Sequence, residues 1–203
     1  MNTTNFVLAG VGGQGTILAS DVVAQTGLTI GLDVKKSEVH GMAQRGGSVI
    51  SHVRWAEKVA SPLCEKGTVD YLIAQEMLES LRWIDFLRPG GTIIISHQHW
   101  PPTSTVFATA VYPSDEEILS AHKKVAGKVL LVDAVGVADQ LNNRRVANSV
   151  LIGALSSVMD VSPEDWLHAL TARVPPRHIQ INREAFFAGR DGQWLLKSVT
   201  SAQ

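Results

Sequence analysis

The segment Gly10-Val11-Gly12-Gly13-Gln14-Gly15 has the G-x-G-x-x-G spacing and lies between an apolar run, Phe6 to Ala9, and a helical pattern that begins at Thr16. In that context Gly10 permits a tight turn, Gly12 lets backbone amides approach a phosphate, and Gly15 lets the following helix pack close to the sheet. The helix N-terminus then offers free N–H groups and partial positive charge to an anion. A purely structural turn is the alternative. About 20 residues further on, where an NAD site carries an acid for the ribose 2′-hydroxyl, the chain has Lys35 and Lys36. Two cations there suit a phosphorylated ribose, as in NADP or the 3′-phosphate of coenzyme A; the other reading is solvated surface lysine.

A second dense segment follows directly, Ser37-Glu38-Val39-His40-Gly41-Met42-Ala43-Gln44-Arg45-Gly46-Gly47. It sets polar and ionisable side chains between glycines at the ligand-binding edge of the expected sheet. Glycine allows positive φ and close backbone approach, and Arg45 can fork onto a carboxylate or phosphate. A β-turn around a satisfied core His40 is an equal alternative.

Other groups carry less. His97-Gln98-His99 puts two imidazoles on alternate residues of an extended segment, but no third ligand stands nearby in sequence, so no metal is assigned. His122-Lys123-Lys124 reads as a solvated helix end. Asp133 and Asp139 flank an apolar stretch that reads as a loop at a strand end; helix capping is favoured over a ligand role. Trp83, Trp100, Trp166 and Trp194 read as packing or interface residues. Cys64 is the single cysteine, which excludes disulfides, a thiolate zinc site and an iron–sulfur cluster built from this chain alone. No residue stands out as a general base, and none is assigned a catalytic role.

The elements that must position these residues alternate strand and helix. Apolar runs mark strands at Phe6–Ala9, Leu32–Val39, Ser48–Trp55 (with one wetter face), Val69–Ala74, Thr92–Ser96 and Val129–Val132. Helical spacing covers Thr16–Thr26, closed by Gly27 and Gly31, then Glu76–Leu87, Asn148–Met159, Trp166–Thr171 and a last helix near Ile181–Ala188. Arg88-Pro89-Gly90-Gly91 reads as the stop of the second helix, and Ser162-Pro163-Glu164-Asp165 as a helix start. This pattern implies an α/β fold: Rossmann-like, a mostly parallel sheet with helices on both faces and C-terminal helices appended. The expectation is one domain over residues 1–203, with an α/β core at 5–160 and a helical extension at 161–203. Ligands of such sheets sit beyond the carboxyl ends of the strands.

Composition narrows the class. With 203 residues, 18 basic and 19 acidic, the net charge is −1. Near-neutral charge argues against a non-specific nucleic-acid binder. No signal peptide and no apolar stretch of spanning length is visible, so the expected location is the cytoplasm.

GVGGQG after a first strand, followed by SEVHGMAQRGGSV, resembles the gamma subunit or domain of the 2-oxoacid:ferredoxin oxidoreductases. Within that group the likeness is to the beta subunit of the indolepyruvate enzymes. LRPGGTIIIS and the stretch from Arg145 through Asn148 and Gly153 to Leu155 also fit, so the resemblance runs over roughly residues 5–190. It implies oxidative decarboxylation of a 2-oxoacid to an acyl-coenzyme A with ferredoxin as electron acceptor. Coenzyme A is the co-substrate, while thiamine diphosphate and iron–sulfur clusters belong to a larger partner subunit. Carried over, Gly10, Gly12, Gly13, Gln14 and Gly15 meet the coenzyme A phosphates or the partner, and Ser37, His40, Gly41, Gln44 and Arg45 line the mouth of the site. Lys35 and Lys36 are added from charge alone. The isolated chain, expected to be inactive, is free to form a homodimer. Two Rossmann-type alternatives stand beside this reading: a methyltransferase using S-adenosylmethionine, and an NADP-binding reductase. Both share the glycine turn, and the methyltransferase also has the Leu87–Gly91 pattern.

Overall fold

The apolar run that starts the chain lies in an eight-residue strand, β1 (Thr4–Val11), which ends in the glycine turn. Helix α1 (Thr16–Thr29) leads back, and β2 (Asp33–His40) is followed by β3 (Ser48–Ala56). Next come β4 (Val69–Ala74), α2 (Met77–Arg82), a 3-10 turn at Ile84–Phe86, and β5 (Leu87–Ser96). Helix α3 (Asp115–Lys123), β6 (Lys128–Val132) and α4 (Ala134–Gln140) follow, with a second 3-10 turn at Arg144–Val146. The chain finishes with α5 (Ala147–Ser156), α6 (Pro163–Thr171), a 3-10 turn at Pro176–His178, α7 (Ile179–Arg190) and β7 (Leu195–Thr200). The structure is a computed structural model and describes residues 3–40, 46–102, 111–192 and 195–200.

Among the described residues all strands form one sheet in the order β2-β3-β1-β4-β5-β6-β7. Pairings from β1 through β6 are parallel, and β2–β3, β3–β1 and β6–β7 are antiparallel. Five of the seven described strands therefore point the same way. Side chains alternate across the strands, and the sequence fills both faces. Phe6, Leu8, Ile73, Ile94, Leu130 and Val132 pack beneath α1 and α4–α7, in a core with Trp55, Trp166 and Phe186. Val7, Leu72, Ile93, Ile95, Val129 and Leu131 pack beneath α2 and α3. Buried on both faces, these strands read as continuous apolar runs.

Several local expectations change. Strand β3 has no wet face: it lies inside the sheet, and both Ser51 and His52 are buried. Helix α1 runs through Gly27, where a Cβ would lie 2.6 Å from the Trp55 indole nitrogen; the chain reverses only at Gly31 (φ +83). Arg88–Gly91 belongs to the start of β5, because Gly90 donates to the Val125 carbonyl and Gly127 to Gly91, both at 2.9 Å. The stretch after Asp133 is helix α4, capped by the Asp133 carboxylate at 2.8 Å from the Gly136 N–H. Ser162 caps α6, as its position before Pro163 implies. Residues 161–203 carry α6 and α7 and also the edge strand β7, and Trp166 and Phe186 put both helices into the main core. None of the described helices is long and apolar enough to cross a membrane.

His122 is not solvated; it is fully buried, and His52 is buried too. Burial pushes both imidazoles below their ordinary value of 6.5. The unfolded chain therefore takes up protons below that pH that the folded chain resists, and stability falls with acidification. We expect the melting temperature to drop between about pH 7 and pH 5, with a shallower slope in His122→Gln. A flat profile over that range would show that neither histidine is held neutral by the fold.

Candidate functional site

Four carboxamides from separate parts of the fold grip the glycine turn. Gln14 accepts the Val11 N–H at Oε1 (2.7 Å) and donates to the Gln75 carbonyl (3.3 Å) and Gln98 Oε1 (2.9 Å). Gln75, just past β4, accepts the Thr16 hydroxyl (2.9 Å) and donates to Asn148 Oδ1 (2.5 Å). Asn148, in the first turn of α5, donates to the Gln14 and Gly15 carbonyls at 2.8 and 3.4 Å. Gln14, Gln75 and Asn148 thus each use both a donor and an acceptor end, and Gln98 accepts from Gln14; such mutual satisfaction is the condition under which a polar network rigidifies a site.

Those contacts redefine the glycines. Gly10 lies within β1, and it is glycine because a Cβ would sit 2.7 Å from both Gln75 Oε1 and Thr16 Oγ1. Gly13 (φ +107) and Gly15 (φ +83) hold the left-handed conformations of the turn. Gly15 packs against the Asn148 side chain, not against a strand. The Gly12 N–H is bonded to the Gly47 carbonyl at 2.8 Å, so it is not directed at a ligand. The N–H groups of Thr16, Ile17 and Leu18 lie in the first turn of α1, where an intrahelical partner is missing, and that turn has no side-chain cap and no acidic residue.

The turn separates two clefts. One, about 480 Å³, is bounded by Gly13–Gly15, Gln98, Trp100, Asn148 and the guanidinium-bearing pair Arg144 and Arg145. Arg144 is held by Asp139 at 2.6 Å, while Arg145 is exposed at the rim with no ion pair among the described residues. The other cleft, about 500 Å³, runs from Val11 to Ile17 with Val49 opposite. No Asp, Glu, His or Lys among the described residues lines either cleft. Cys64 lies elsewhere, buried beside the Phe6 carbonyl, and burial pushes its thiol up to about 11.

Lys35 and Lys36 do not join this site. Strand β3 intervenes between β1 and β2, and Lys36 registers through Val53 with Phe6, four residues before Gly10. At ~3.3 Å per residue that is about 13 Å down the strand from the turn. Lys35 pairs with Asp33 at 2.9 Å, and Lys36 with Asp21 and Glu38. Ser37 is likewise in mid-strand. The charge reading fails because it assumes β2 lies directly beside β1. The same insertion removes the ribose position on which the methyltransferase and NADP alternatives depend.

His40, the last residue of β2, registers through Val49 with Gly10, so the carboxyl end of β2 does reach the turn. Gly41, Gln44 and Arg45 lie outside the described residues, as does Trp194. Gln75, Gln98, Arg145 and Asn148 escape the sequence reading as site residues. Only the position of Asn148 at a helix start, after a strand–helix unit, signals it.

The family model for pyruvate ferredoxin/flavodoxin oxidoreductase matches residues 5–192. The chain belongs to that family. The chain is 36% identical over 192 residues to indolepyruvate oxidoreductase subunit IorB of Pyrococcus horikoshii, covering 93% of this chain and 95% of that one. It is 35% identical to the IorB of Thermococcus kodakarensis, with the same coverage. The fold matches the keto/oxoacid ferredoxin oxidoreductase gamma subunit of Geobacter sulfurreducens with a TM-score of 0.71 at 22% identity, covering 94% of this chain and 96% of that one.

Proposed function

We propose that this chain is the small subunit of a cytoplasmic 2-oxoacid:ferredoxin oxidoreductase of the indolepyruvate type, and that its glycine turn helps bind coenzyme A. End-to-end similarity to IorB subunits carries the assignment. The cleft supports the division of labour, since it offers anion-binding groups and, among the described residues, no acid–base pair. A single cysteine cannot hold a cluster. Thiamine diphosphate and the iron–sulfur clusters, which supply decarboxylation and electron transfer, therefore reside in a larger partner. A structure of similar fold, the 2-oxoglutarate:ferredoxin oxidoreductase of Magnetococcus marinus, was determined with 2-oxoglutarate, coenzyme A and succinyl-CoA bound; this chain matches 31% of it.

In this reading the first-turn amides of α1 and the Arg145 guanidinium receive the phosphates of coenzyme A. Gln14 holds the turn in shape. The segment bearing Gly41, Gln44 and Arg45 leaves β2 at His40 and rejoins at Gly46, whose N–H approaches the Gly12 carbonyl at 3.5 Å. Arg45 directly precedes Gly46 in sequence, and a guanidinium suits a phosphate or the oxoacid carboxylate.

Prepared alone, the chain should contain no stoichiometric iron, acid-labile sulfide or thiamine diphosphate, and should reduce no ferredoxin with indolepyruvate and coenzyme A. Adding the larger subunit should restore turnover. Turnover or stoichiometric iron in the isolated chain overturns the assignment. In the assembled enzyme, Arg145→Ala and Arg45→Ala should each raise the KM for coenzyme A about tenfold or more, the loss of one charge-assisted bond. Unchanged KM with a lowered melting temperature would make both arginines structural.

A further inference from the structure

Strand β5 ends at Ser96, and His97-Gln98-His99 continues beyond it. Gln98 reaches the glycine turn through Gln14, whereas the two histidines reach the start of α3. There Asp115 receives both imidazoles on its two oxygens: His97 Nε2 lies 2.6 Å from Oδ2 and His99 Nε2 lies 2.7 Å from Oδ1. One ligand atom from each of the three residues lies within 4.8 Å of the others. Asp115 is the third ligand that sequence spacing does not reveal, since it is 16 residues beyond His99.

We propose that His97, His99 and Asp115 form a site for a divalent transition metal of the zinc class, with water or an exogenous ligand completing the coordination. Two imidazoles and one carboxylate favour a borderline ion such as Zn²⁺ or Co²⁺ over Mg²⁺ or Ca²⁺, which take oxygen ligands. Ligand bonds of ~2.0–2.2 Å set donor edges of about 3.4 Å, so the His–Asp pairs, now at 2.6 and 2.7 Å, need to open by less than an ångström to admit the ion.

The backbone holds the ligands ready. The His97 N–H bonds the Val132 carbonyl at 2.8 Å, and the Gln98 carbonyl accepts from Met77 at 2.9 Å, tying this segment to β6 and α2. Asp115 sits in a first turn fixed by the Ser114–Glu117 capping box. The His99 ring packs 5.5 Å from the Tyr112 ring, whose hydroxyl is bonded to the buried Glu76 carboxylate. All three ligand side chains remain 34–40% exposed, so an ion and its water can enter. A bound ion joins the exit of β5 to α3 and thereby fixes Gln98, one wall of the cleft. This site is independent of the coenzyme A assignment.

The test uses the full chain, stripped with a chelator. Titration with Co²⁺ should give visible d–d bands saturating at one equivalent, displaced by Zn²⁺, and Zn²⁺ should raise the melting temperature in a concentration-dependent way. His97→Ala and His99→Ala should each weaken Co²⁺ binding at least ~10-fold, as loss of a metal contact does. His178→Ala, on a surface remote in sequence, should not. Because the ligand side chains are partly exposed, the metal-free variants should melt near the parent; if His97→Ala does not, His99→Ala and Asp115→Asn carry the test. No Co²⁺ signal up to ~1 mM, or binding that persists in the His97→Ala/His99→Ala double variant, overturns the proposal.

Discussion

Gly153→Ala and Gly189→Ala should each lower the melting temperature by roughly 6–12 °C, and the valine variants should fail to fold. Helices α5 and α7 cross with their backbones in contact: a Cβ on Gly153 would overlap the Phe186 carbonyl oxygen, and one on Gly189 would overlap that of Val150. Both obstacles are backbone, so a side-chain rotation cannot relieve them. The helices are also pinned on either side, by Ser149 to Asn182 at 2.6 Å and by Arg190 to the Ser156 carbonyl at 2.6 Å. Overpacking of this kind costs about 3 kcal/mol or more. For a chain of this length each kcal/mol is ~2–4 °C, which sets the range. Thermal melts of the two alanine variants measure it. A shift within ~2 °C would mean that α7 slides off α5 at little cost.

The second large effect is expected at Gly15. Gly15→Val combines a left-handed φ of +83 with a Cβ placed into the Asn148 carboxamide. Evicting Asn148 leaves the Gln14 and Gly15 carbonyls and the Gln75 donor without their partners. Conformational strain of ~1–3 kcal/mol and at least one orphaned polar group at ~1–3 kcal/mol add up to a disrupted turn. Assembled enzyme carrying Gly15→Val should lose about 100-fold or more in coenzyme A-dependent turnover, with a lower melting temperature. Gly13→Ala is the control: its φ is also positive, but nothing lies within 4 Å of the added methyl group, so only the conformational strain applies. Equal losses at both positions would show that φ alone matters and that the Asn148 clamp does not.

Periodicity carries most of the fold. Alternating faces such as Phe6/Leu8 against Val7 are written as plain apolar runs, and every strand that pairs in parallel is found from them. Adjacency is not written there. Nothing local says that β3 inserts between β1 and β2, because hairpin pairing depends on the register across the sheet and not on either strand's composition. The error at Lys35 and Lys36 follows from that. The carboxamide clamp is hidden for a related reason: Gln14 and Asn148 are 134 residues apart, and an isolated Gln or Asn carries no spacing signature. The glycine turn, by contrast, is legible because backbone conformation constrains residue type locally.

The clamp is made of carboxamides and one hydroxyl, groups that neither gain nor lose a proton anywhere near neutrality. Its shape, and with it the orientation of the α1 amides, is therefore constant across that range. If the turn binds a phosphate-bearing ligand as proposed, any pH dependence of that binding comes from groups other than the clamp (the ligand, the partner, or the buried histidines that set the chain's stability), with this turn as an electrically silent frame.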